Sequence, residues 1–249
     1  YYANDGERDA AGYFEEFTVG GLDTLAERDS EGPQIALYMN DAQFINGGIT
    51  NENPDIFALM VDSSGINTIG RGIGHDILAI LDDDINNAIV LNDFYTADLN
   101  SYQSGQVRYG LENIPEGPHT LKLRAWDVYN NPSETSIDFV VANSEDLALR
   151  HVLNYPNPFT TYTEFHFEHN RVGQPLEVLV QIYSASGQLV KTIRREMIPT
   201  GNRVTNISWN GLDDYGDPIG KGVYVYKLSV RSRTDFSMAE EYQKLVILR

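Results

Sequence analysis

The 249-residue sequence has no cysteine. Disulfides, zinc–thiolate sites and a cysteine nucleophile are therefore excluded within this chain. No stretch approaches the ~18 consecutive apolar residues of a membrane-spanning helix, and no signal peptide is visible. Long amphipathic helical patterns are missing as well. Basic residues are scarce, 18 Lys+Arg against 36 Asp+Glu, and the net charge is −18. The shortage is uneven. Up to Asp146 there are 6 basic and 26 acidic residues, and from Leu147 onward 12 and 10. Such a split argues for two domains with different surfaces. An acidic half repels phosphates and anionic lipid, so nucleic acid is not an expected partner.

What is present is a rhythm of short apolar runs between turn signals. Residues 1–32 are polar and acidic and read as a linker or edge segment from an upstream domain; the opening YYANDGERDA carries no initiating Met and reads as a piece of something longer. From Pro33 the runs are IALYM (35–39), IFALMV (56–61), DILAIL (76–81), AIVLN (88–92), GQVRYGL (105–111), HTLKLRAWDV (119–128) and SIDFVV (136–141). Turn residues such as Asn46-Gly47-Gly48, Ser64-Gly65 and Asn130-Asn131-Pro132 separate them. About seven short strands at this spacing predict an immunoglobulin-like antiparallel sandwich over 33–146. Trp126 reads as alternating in phase with the apolar positions of its strand, and hence as a core tryptophan.

Ser144-Glu145-Asp146 reads as a short polar hinge. Beyond it TEFHFEH (163–169), LEVLVQIYS (176–184), QLVKTIRRE (188–196), NRVTNISWNG (202–211), GVYVYKLSVRS (222–232) and EEYQKLVILR (240–249) predict a second sandwich over 147–249. The expected fold is all-β, two antiparallel immunoglobulin-like sandwiches in tandem. Within the second, NYPNPF (154–159) comes before the strand runs. Pro156 and Pro158 fix φ and remove two donors, and Tyr155 and Asn157 are pushed towards extended backbone. The hexapeptide reads as a stiff lead-in with Tyr155 and Phe159 as apolar anchors.

Candidates for chemistry are few. His75-Asp76 could suggest an acid–base pair, but neighbours on a strand face opposite sides, and a turn at a strand start is the plainer reading. Gly70, Gly72 and Gly74 superficially suggest a phosphate loop, yet no helix follows to complete the anion site. Asp82, Asp83 and Asp84, with Asn86 and Asn87, offer hard oxygens for calcium. They lack the alternating ligands and central glycine of an EF-hand, so an acidic solvent-exposed turn is the simpler account. His166 and His169, three apart on a strand, imply no metal site. Tyr224 and Tyr226 share one strand face and read as core. No cofactor is expected, with calcium as the one candidate.

NYPNPF, then IYSASGQLVKTI, then WNGLDDYGDPIGKGVYVYKL and a closing KLVIL together resemble the C-terminal sorting-type domain of the type IX secretion system, which is itself similar to the immunoglobulin-like domain of the flagellar hook-cap protein. The matching positions are Tyr155, Pro156, Asn157, Pro158 and Phe159 in the opening box, Gly187 in the central hairpin, Gly222 and Tyr224 entering a late strand, and 244–246 in the closing one. GPQIALYMND, GINTIGRGIGHDI, VLNDFY and HTLKLRAWDVYNNPSE resemble the region after the peptidase domain in the gingipain-like cysteine-peptidase sortases of that system. The resemblance implies a cell-surface location on the outer face of a Gram-negative outer membrane, with type IX outer-membrane components as partners and cargo sorting domains as further ones. It places the catalytic Cys and His in the peptidase domain, so this chain would be the non-catalytic tail of an enzyme. The alternative is the terminal sorting and accessory modules of another type IX surface protein, an adhesin or a glycan-active enzyme.

Overall fold

In the computed structural model, residues 2–4, 8–13, 29–69, 74–142 and 146–248 are described. Strands β1 (Tyr2–Asn4) and β2 (Asp9–Ala11) pair as a hairpin within the expected linker. The first sandwich follows with β3 (Gln34–Met39), β4 (Gly48–Thr50), β5 (Asp55–Val61), β6 (Leu78–Leu81), β7 (Ile89–Val90), β8 (Tyr95–Ala97), β9 (Ser104–Gly110), β10 (Gly117–Trp126) and β11 (Pro132–Val141). One sheet has the order β3-β5-β9-β8 and the other β4-β11-β10-β6-β7. Every pairing is antiparallel except β4 on β11. The second sandwich contains β12 (Leu149–Tyr155), β13 (Thr163–His169), β14 (Leu176–Tyr183), β15 (Leu189–Met197), β16 (Arg203–Trp209), β17 (Gly222–Ser232) and β18 (Met238–Ile247). Its sheets are β12-β13-β16 and β15-β14-β17-β18.

Alternation explains both cores. Leu121, Leu123 and Ala125 of β10 are fully buried while Lys122 and Arg124 turn outward. Val178, Val180 and Ile182 of β14 do the same for the second sandwich. Each such aliphatic side chain contributes roughly 1.5–3 kcal/mol. The two sets form separate clusters, one running from Leu37 to Val141 and the other from Leu147 to Ile247. The expected hinge at Ser144 and Glu145 lies outside the described residues.

Two expectations need correction, and one strand was not foreseen. Trp126 is out of phase: 121, 123 and 125 point inward, so 126 points outward, where its ring is only half-buried and packs on His75 at 4.4 Å. The run 88–92 is a strand only at Ile89–Val90, because the Asn92 amide is tied to Ile77 N–H (3.0 Å) and Thr68 C=O (3.1 Å) and curls the chain into a 3₁₀ turn. Strand β12 is not visible as a period-two run. A register shift between Arg150 and Leu153, with His151 at φ 47°, breaks the alternation.

A chain of buried amides joins the two sandwiches. Buried Asn40 accepts from Asp55 N–H (2.8 Å) and donates to the Asn202 side chain. Asn202 in turn donates to His169 C=O (2.8 Å). Beside it a Cβ on Gly201 would lie 1.8 Å from the Asp41 carboxylate, so a side chain there would require Asp41 to swing aside. Asn202→Ala strands a buried donor and a buried carbonyl and is expected to cost about 1–3 kcal/mol in urea unfolding. An unchanged midpoint would show that this amide chain is not formed in solution.

Candidate functional site

The box 154–159 is built into the second sandwich rather than leading up to it. Asn154 and Tyr155 end edge strand β12, and the chain then bends at 156–158. The bend is held from inside: Thr163 Oγ1 donates to Pro156 C=O (2.8 Å) and accepts from buried Asn154 Nδ2 (3.0 Å). Both prolyl bonds of the box are cis. The backbone bends at 156–158 where a stiff extended lead-in was expected. Asn157 then imitates a strand residue, its Nδ2 donating to Lys244 C=O (2.9 Å) and its Oδ1 accepting from Val246 N–H (2.9 Å). Phe159 continues the pairing, N–H to Val246 C=O and C=O from Leu248 N–H, each at 3.0 Å. Its ring is 2% exposed and meets Trp209 edge-on at 5.6 Å. The motif is a clasp over the edge of terminal strand β18. An unpaired edge of that length would otherwise offer itself to other strands.

The structure separates the motif residues by role. Phe159 is the anchor that the sequence suggested, but Tyr155 is 68% exposed and anchors nothing in the core. Gly187, at φ +83°, makes the tight β14–β15 turn, where its N–H reaches Ser184 C=O (2.9 Å). Gly222 opens β17, and a side chain there would meet only ordinary contact. Tyr224 packs partly on the core and donates its hydroxyl to Gly220 C=O (2.8 Å). Tyr226 is fully buried against Phe165, and burial pushes its phenol up.

Lys191, Arg194 and Arg195 lie on edge strand β15, and Arg231 and Arg233 at the β17–β18 hairpin. Lys191 pairs with Asp214 (3.2 Å), Arg194 with Glu177 (3.4 Å) and Arg233 with Glu196 (2.8 Å). Arg195, exposed beside them, reaches Arg194 C=O (3.0 Å), and Arg231 lies over Phe236 (5.3 Å). At the end of β13 the polar groups are buried. His169 is fully buried, and its Nδ1 accepts from Arg171 N–H (3.1 Å), so the neutral ring carries its proton on Nε2. Burial first, and Arg171 second, push its pKa down to about 4. Arg171 is 1% exposed and donates to Asp235 (3.0 Å) and Ser237 (3.2 Å). Hydrogen bonds from Ser237 and then Ser232 hold Asp235 well below the usual carboxylate range, with Arg171 adding less.

The acidic run 82–84 does not converge on a point. Asp82 takes His119 Nδ1 (2.7 Å) and Thr120 N–H (2.9 Å), Asp83 pairs with Lys122 (2.5 Å), and Asp84 accepts from Asn87 (2.7 Å). Asp82 and Asp83 both sit at positive φ, in the turn that follows β6. His75 and Asp76 lie in the turn before β6, as expected, while Gly70 and Gly72 fall outside the described residues. Three other carboxylates do gather: Asp29, Asp62 and Asp127 place oxygens within 4.8 Å of one another, the last two buried. Hydrogen bonds from Ser64 and then Glu31 N–H hold Asp29 below its usual range. Among the described residues these are the ones that could hold a hard cation. Sequence reading missed them because they come from three separated loops.

No family model matches the chain, and no curated protein matches it. Among solved structures it is similar to dimeric latent PorU from Porphyromonas gingivalis, at 29% identity and a TM-score of 0.46 over 88% of this chain and 20% of that one. The chain therefore spans a fifth of the length of that protein. It is also similar to a β-glucuronidase from Parabacteroides merdae, at 10% identity and a TM-score of 0.38 over 86% of this chain and 24% of the other. The chicken CNTN1 FN1-FN3 domains match at 10% identity and a TM-score of 0.26, over 82% and 65%.

Proposed function

We propose that this chain is the non-catalytic C-terminal part of a gingipain-like cysteine-peptidase sortase of the type IX secretion system. Its second sandwich would serve as the module for outer-membrane attachment and partner docking. The observation that carries this reading is the clasp: box 154–159 and the closing strand 244–246 are two ends of one sorting-type motif, and they are hydrogen-bonded to each other. Residues far apart in the chain that resemble one family pattern also make one physical unit. The chain itself supplies no cysteine nucleophile. Its part is binding, and cleavage belongs to the domain that precedes it.

Docking would use the cationic edge around β15, offered to an acidic outer-membrane component. Deleting residues 147–249 from the full protein is expected to release it from the cell surface or stop cargo processing. Normal surface localisation and processing by the truncated protein would overturn the reading. Reversing charge at Arg194 and Arg195 is expected to weaken assembly about three- to tenfold at low ionic strength and hardly at ~1 M salt, where the screening length is only ~3 Å. Arg195→Glu alone is the cleaner arm, because Arg194 already balances Glu177.

A further inference from the structure

The first sandwich has an open groove of about 870 Å³ between the connection that leaves β6 and the one that follows β9. Its floor is apolar, formed by Ile89 with Leu111 and Ile114, the last two 5% and 8% exposed. At one end Phe94 and Tyr109 meet edge to face at 4.7 Å, and Phe94 keeps 45% of its surface open. The rim is acidic. Glu112 enters no ion pair among the described residues, and Asp84 meets only the Asn87 amide. The one basic side chain in the lining, Arg108, is committed elsewhere: it reaches Asp55 (3.3 Å) and Asn40 C=O (2.9 Å) and lies over the Phe57 ring (4.5 Å).

We infer that this groove binds an extended polypeptide segment bearing lysine or arginine. Alkyl stems of such side chains cover an apolar floor while their charged heads reach carboxylates on the rim. Ring faces at the end of the groove add attraction for a cation. The surrounding half of the chain has 26 acidic and 6 basic residues, so its field concentrates a cationic partner and repels an acidic one. The groove lies on the first sandwich and its ligand has the opposite sign from that proposed for the second, so this inference stands or falls independently of the docking role above.

The test is calorimetric titration of the 249-residue chain with a blocked nonapeptide alternating lysine and valine, at low and moderate salt. Saturable one-site binding that weakens with salt is expected. The double change Asp84→Asn with Glu112→Gln is expected to weaken affinity about tenfold, and Phe94→Ala several-fold with the salt dependence kept. The charge-matched control, Asp98→Asn with Glu116→Gln, removes two exposed carboxylates outside the groove and is expected to bind as the parent does. Unchanged melting of the variants establishes that they remain folded. An equal loss in groove and control variants would mean attraction to general acidity and would overturn the site, as would the absence of saturable binding.

Discussion

Replacing Phe159 with alanine is expected to remove about 3–5 kcal/mol from the second sandwich. The ring is almost fully enclosed and touches Trp209, and the surrounding sheets cannot close the void because Val246 and Leu248 hold the backbone of residue 159 in place. For a domain of about 100 residues this amounts to a fall in melting temperature on the order of 15 °C or more. The first sandwich has its own core, so its transition should stay where it is. Phe159→Leu should recover much of the loss. Tyr155→Ala, at a mostly exposed position in the same box, should shift melting by no more than about 0.5 kcal/mol. A Phe159→Ala protein that melts within a degree or two of the parent would remove the clasp from the account of this domain.

The second large effect is a loss of stability in mild acid. His169 titrates at about 4 when folded and at an ordinary 6.5 when unfolded. Between those values the unfolded chain binds the extra proton, so stability rises with pH across the interval. The contribution is complete above about pH 6.5 and disappears as pH falls towards 4, about 3 kcal/mol in all. His166 acts in the same direction, its pKa lowered by burial and then by Arg203 against the opposing pull of Glu164. Urea midpoints of the second sandwich should therefore drop steadily from pH 7 to pH 5, before the carboxylates begin to titrate. His169→Gln should flatten that slope. A midpoint that is level across this range would mean the imidazole is hydrated in solution.

Why some of this was legible and some was not follows from the range of the forces involved. Strands β13, β14 and β17 could be read within one residue of their ends, because alternation is imposed by each strand lying between a core and water. Trp126 was assigned to the wrong face by a one-position error of phase, and in a strand one position reverses the side. Strand β12 was hidden by its bulge and β7 was cut short by the Asn92 side chain, and neither feature leaves a periodic trace. At the candidate site, the presence and spacing of Asn157 and Phe159 were visible, but their partner strand lies some 87 to 89 residues away.

Composition, the lack of cysteine, the charge split and the period-two runs determined by themselves an all-β chain with two cores and no thiol chemistry. Those properties are local or additive, and a linear string carries them completely. Which carboxylates gather was decided only by the tertiary structure, which scatters adjacent Asp82, Asp83 and Asp84 and brings together Asp29, Asp62 and Asp127. The same holds for the burial of His169 and the closing of box 154–159 on the terminal strand. Each of these depends on loop ends meeting across a sheet, and a pairing between distant segments is set by how the whole sandwich closes, not by the residues at either end.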